Sequence, residues 1–156
     1  MSLIAALFAA AALQAAPDPA VAEVTAVLDE LNRASSTADE VAYFNLFAPN
    51  ARFVGTDPTE HWSMAEFKAF AEPWFKRDSA WNFPATERFI TIADIDCRCI
   101  AMFEEKLDSR HYGATRGSGV MRKTADGWKI EQYVLSFAIP NDRSDAVVAA
   151  VRAPAQ

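Results

Sequence analysis

Residues 55–63 read GTDPTEHWS and gather Asp57, Glu60 and His61, the last being one of only two histidines in the chain. An imidazole beside carboxylates titrates near neutral pH, where a general base works best. Asp57 and His61 are therefore the candidate catalytic residues. The same stretch also carries turn chemistry. Gly55 and Pro58 turn the chain, and Ser63 stands three residues before Glu66, the spacing of a helix capping box that Trp62 can staple. A second polar group surrounds His111. Tyr112 and Arg116 are four residues apart on one predicted strand and so share a face, and Tyr133 and Ser136 present hydroxyls on the next. Trp62, Tyr112, Arg116 and Tyr133 are the candidate ligand-binding residues. Arg116 inside an apolar pocket needs a carboxylate from a ligand or from the protein; paired with Glu104 or Glu131 across strands, it is structural. His61, His111 and Asp57 lack metal-ligand spacing, and the chain shows no phosphate loop, nucleophile elbow or Cys–His pair, so neither metal nor cofactor is expected.

The elements that must position these residues follow from hydrophobic period. Val21, Val24, Val27, Leu28 and Leu31 recur at helical spacing after the Pro17-Asp18-Pro19 break. Ser36 or Thr37 caps a second helix over residues 38–47, which Pro49-Asn50 stops. ARFVGT is a short strand with Phe53 inward. A third helix starts at Ser63 and carries Phe67, Phe70, Trp74 and Phe75 as an aromatic stripe. From Asn82 the period drops to two. Four strands follow, FPATERFITIADID, CIAMFEEKLDS, HYGATRGSGVMRKT and WKIEQYVLSFAI, the last two joined by an Asp126-Gly127 turn. Gly113, Gly117 and Gly119 let the third of these bend. Residues 143–156 form a tail or short helix.

The 156 residues are 51% hydrophobic and include eleven Phe and four Trp, enough for one domain with a substantial core or an aromatic pocket. A net charge of −6 and a pI near 4.9 argue against nucleic acid and against an acidic membrane surface. Residues 1–16 are a short uncharged apolar run ending in small residues, the pattern of a signal peptide without a basic start, which implies a periplasmic or secreted protein; a cytoplasmic protein with an apolar N-terminal helix is the alternative. If Cys97 and Cys99 lie on one extended strand they stand about 6.6 Å apart, too far for a disulfide, and no intrachain bridge is expected; a tight turn at that point would close the distance.

The stretch VLDELNRASSTADEVAYFNLFAPNARFVGTDPTEHWSMAEFKAF, followed by HYGATRGSGVMRKTADGWKIEQYVLSF, resembles the SnoaL-like families of the nuclear transport factor 2-like superfamily over residues 20–142. The resemblance implies an α+β, cone-shaped (cystatin-like) fold, with three N-terminal helices packed on a curved antiparallel sheet around a potential pocket. The superfamily includes ketosteroid isomerases, yet their base falls on Gly55 here, their tyrosine on Leu31 and their oxyanion acid near Gly119 or Val120. Steroid isomerisation is thus not carried over. The expectation is a protein that binds a hydrophobic or aromatic small molecule in its cone, with cofactor-free proton transfer of isomerase or hydratase type if it is an enzyme. The alternative is a non-catalytic association module, a homodimer joined through outward Val120, Ile130 and Val134.

Overall fold

The computed structural model describes residues 18–153; residues 1–16, where a signal peptide is expected from the sequence, lie outside the described residues. Helix α1 (Pro19–Ser36) begins where Asp18 accepts a hydrogen bond from the Ala20 N–H and Pro19 takes the first helical position. Its stripe of Val24, Leu28, Leu31 and Ala34 is buried in the core. Helix α2 (Glu40–Asn45) is shorter than its sequence suggests. Phe47 and the Pro49-Asn50 pair belong to strand β1 (Phe47–Val54), where the register with its neighbour shifts between Phe47 and Arg52. A proline has no N–H to give a ladder, and an irregularity is where a strand tolerates one.

Strand β2 (His61–Ser63) runs directly into helix α3 (Met64–Phe75). Ser63 caps α3 as expected: its hydroxyl accepts from the Glu66 N–H, and the Glu66 carboxylate accepts from the Ser63 N–H at 2.8 Å. Trp62 stacks on Phe67 at 5.6 Å, one residue before the cap and four after it, which is the staple contact. Strands β3 (Ala85–Ile92), β4 (Ile100–Ser109), β5 (Gly113–Thr124) and β6 (Gly127–Phe137) form the expected antiparallel meander, and Gly127 turns the last hairpin with φ +97°. The sheet order is β2-β1-β6-β5-β4-β3, with β1 parallel to β6. A one-turn helix at Asn141–Arg143 leads into α4 (Ser144–Arg152), which buries no residue.

Helices α1 and α3 pack on one face of the sheet, α1 over β3 and β6 and α3 over β1 and β2. That face carries Phe53, Ala101, Phe103, Met121, Ile130 and Tyr133 in the core. Ile130 is fully buried, so it belongs to no outer interface; the register slip between Val120 and Met121 turns it inward. Gly117 is required by a close approach: a Cβ there would collide with the Tyr133 hydroxyl.

Two features depart further from the sequence reading. Cys97 and Cys99 form a disulfide, because the β3–β4 connection is a turn and not an extended strand: Arg98 takes φ +45°, and the two Cα atoms stand 5.1 Å apart. Arg98 also pairs with Asp18 and so ties this turn to the start of α1. The second is an ion cluster that runs from buried Glu105 through Arg88 to exposed Asp29. Arg88 on β3 donates to Glu105 on β4 at 2.9 Å and to Asp29 on α1 at 2.9 Å, which fastens the helix to the far side of the sheet.

Candidate functional site

Between α1, α3 and the concave sheet face lies a cavity of about 540 Å³, within the range of small-molecule sites. Its floor is Tyr133, seated over Gly117, beside Phe53 of β1. From there five rings run nearly parallel across one wall. Tyr133 and Phe53 are 5.5 Å apart with planes 8° from parallel, Phe53 and Phe67 are 3.9 Å and 16°, Phe67 and Trp62 are 5.6 Å and 13°, and Trp62 and Phe70 are 4.5 Å and 24°. Offset stacks of this kind hold each ring in place. Helix α2 contributes Tyr43, and α1 contributes Leu31, Asn32 and Ser35.

The opposite wall is a loop and a turn held against each other. After α3, the Ala80 and Trp81 N–H groups both donate to the Ser35 carbonyl, and the Phe83 ring meets Tyr112 at 5.7 Å. Tyr112 sits in the β4–β5 turn, where the Ser109 hydroxyl accepts from the His111 and Tyr112 N–H groups at 3.3 and 3.4 Å. Arg77, Trp81, Asn82 and Phe83 therefore border the cavity together with Arg110, His111 and Tyr112. The Arg77 guanidinium stands over the Trp74 ring, 4.1 Å from its centroid. Burial foremost, with the Glu105 charge adding, pushes the Tyr133 phenol well above its ordinary value, so at neutral pH it is a donor.

Of the six residues singled out from sequence, Trp62, Tyr112 and Tyr133 border this cavity, whereas Asp57, His61 and Arg116 do not. GTDPTEHWS acts as a turn. Asp57 accepts from the Thr59 N–H at 2.8 Å and the Thr59 hydroxyl at 2.6 Å, and these bonds hold its carboxyl below the usual range, the opposite of a base tuned toward neutrality. Glu60 borders the cavity but accepts from the Asp57 N–H at 3.1 Å, and the Glu60 side chain fills the space a Cβ on Gly55 would need. His61 is exposed on β2 and, by strand alternation, faces away from inward Trp62. Arg116 stands opposite Lys106 and Ser136 on the outer face, with no carboxylate within ion-pair distance among the described residues; Glu131 pairs with Arg122 instead. The four-residue spacing from Tyr112 fails because Gly113, at φ +67°, redirects the chain between them.

The fold and the aromatic cavity together define a cone of the nuclear transport factor 2-like kind. The chain belongs to the SnoaL-like domain family, whose pattern matches residues 24–140. No curated protein matches the sequence. Among solved structures, a protein proposed to be an aromatic ring hydroxylase from Novosphingobium aromaticivorans superposes with a TM-score of 0.65 at 18% identity, covering 80% of this chain and 93% of that one. A proposed dehydratase of the NTF2-like family from Streptomyces avermitilis gives 0.66 at 15% identity, over 80% and 100% of the two chains. A protein from Xanthomonas campestris, described as a proposed calcium/calmodulin-dependent protein kinase II association domain, gives 0.58 at 22% identity, over 84% and 94%. At these identities the likeness is one of fold.

Proposed function

We propose that this protein binds an apolar, aromatic small molecule in the cavity of its cone. One observation carries the reading: a space of about 540 Å³ is walled by stacked rings that leave it open. Aromatic walls offer flat, rigid contact area to a planar ligand at little entropic cost. No proton-transfer step is assigned to Asp57 or His61, since neither borders the space where a substrate would lie. Glu60, His111 and Tyr133 are among the titratable groups that do.

The reading is tested by thermal denaturation with a neutral bicyclic aromatic, 2-naphthamide. At a hundred times the dissociation constant, binding adds about 2.7 kcal/mol. For a chain of this length that raises Tm by roughly 5–10 °C. An unchanged Tm with 2-naphthamide and with its acid, up to their solubility limits, would contradict the reading.

A second reading concerns assembly and is compatible with the first. On the outer sheet face Val120 stands opposite Met102, with Phe89 and Val134 near by; Met102 and Phe89 are 45% and 48% exposed. The face fits a homodimer, as the resemblance to an association domain also suggests.

A further inference from the structure

The charge of the chain is strongly negative, and most of its cations are matched to acids. Arg33 pairs with Glu30 and Asp39, Arg88 with Glu105 and Asp29, Arg122 with Glu131, and Lys123 with Glu23. Arg77 and Arg110 are different. Neither has a carboxylate within ion-pair distance among the described residues, and both border the cavity. They come from separate segments, the loop after α3 and the β4–β5 turn. The Phe83–Tyr112 contact and the bond from the Asp108 N–H to the Pro84 carbonyl bring these two segments to the same side.

The remaining charges of the lining sharpen the contrast. Its one carboxylate, Glu60, lies on the β1–β2 side and is held by the Asp57 N–H. His111 stands beside Arg110 and adds a further donor. The Arg77 guanidinium stands over the Trp74 ring, 4.1 Å from its centroid, a cation–π contact that restrains it at the border of the cavity. The floor holds only rings and hydroxyls. An elongated ligand would therefore enter with its ring toward Tyr133 and its charged end at the arginines.

Resting on the pocket-binding reading above, we infer that the ligand is an aromatic carboxylate whose ring occupies the stacked wall and whose carboxylate is held at the mouth by Arg77 and Arg110. A carboxylate matches the guanidinium fork with two parallel hydrogen bonds, which a neutral amide cannot reproduce. Both arginines are exposed, so the attraction is screened by salt.

The test compares 2-naphthoate with 2-naphthamide, equal in size and differing in charge, by calorimetric titration of the full chain. Binding of the acid at least tenfold tighter, with the difference shrinking to about twofold in 1 M NaCl, supports the inference. The doubly substituted Arg77→Gln, Arg110→Gln protein should lose the preference, binding acid and amide with equal affinity, while Arg152→Gln, far out on α4, should keep it. Equal affinities for acid and amide would overturn the carboxylate assignment and leave the apolar-pocket reading standing. Binding of neither would overturn both. A third probe, 2-naphthyl phosphate, separates anions: affinity ten times above that of the naphthoate would transfer the site to phosphate esters and refute the carboxylate.

Discussion

Glu105 sits on the concave sheet face with its side chain wholly buried, and only one of its two carboxylate oxygens finds a partner, the Arg88 guanidinium. Burial pushes this carboxyl above its ordinary value, against the hydrogen bond and charge of Arg88, which lower it. A carboxyl whose folded pKa exceeds its unfolded one, about 4.3, binds its proton more tightly when folded, so it contributes stability at low pH that is lost as pH rises through the folded value. Arg88→Ala leaves the buried carboxylate unpaired and is expected to cost about 3–5 kcal/mol at neutral pH. That loss should shrink as pH falls toward 4.5. Glu105→Gln in the same background should remove the pH dependence. Urea denaturation of the three proteins between pH 4.5 and 7.5 checks this; an Arg88→Ala protein with wild-type stability at pH 7.5 would contradict it. None of this cluster is legible in the sequence. Arg88, Glu105 and Asp29 lie far apart along the chain, and only a folded sheet brings them together. Asp57 and His61 illustrate the converse. Adjacency in sequence suggested an acid/base pair, but a two-residue hydrogen bond from Thr59 and the alternation of a three-residue strand direct both away from the cavity.

At the scale of elements, local chemistry was readable at several self-contained sites, although α2 is capped by Asp39 and not by Ser36 or Thr37. The Ser63–Glu66 capping box, the Trp62 staple and the Asp126-Gly127 turn each depend on a few consecutive residues, and each forms as its letters require. Boundaries set by tertiary pairing were not. Phe47 looks helical by spacing but pairs with Ile130 as a strand residue, and the two cysteines are joined because their segment turns. The outer face of the sheet poses a question at this scale. Its apolar centre of Val120 and Met102, flanked by Phe89 and Val134, is the surface that the homodimer reading needs. Sedimentation equilibrium should give twice the chain mass, and Val120→Glu should yield monomers that keep the wild-type far-ultraviolet spectrum, since a charge in a buried interface lacks a partner. A wild-type monomer at tens of micromolar would remove the dimer.

The whole molecule is a curved six-stranded sheet with α1 and α3 packed on one face. Its general plan was evident from composition and period: helical stripes first, alternating stretches after, and many aromatic residues between them. The cavity's existence was an expectation of the fold, but its second wall was not. KRDSAW at residues 76–81 has no period to read, and its place is fixed by the Ser35 carbonyl, while Phe83, expected in a strand, lies before β3 and meets the Tyr112 ring, contacts that exist only in three dimensions. Arg77, Arg110 and Asn82 consequently escaped notice, while Arg116, prominent in a regular strand, drew it.

The central claim is that the space behind the five stacked rings receives a ligand. Methyl-labelled NMR during titration with 2-naphthamide tests it most directly, because Leu31 and Leu135 border the cavity whereas Val120 and Val134 lie on the outer sheet face. The expected result is saturable displacement of the Leu31 and Leu135 methyl signals with Val120 and Val134 unmoved. Displacement confined to Val120 and Val134, or no displacement at all, would contradict it.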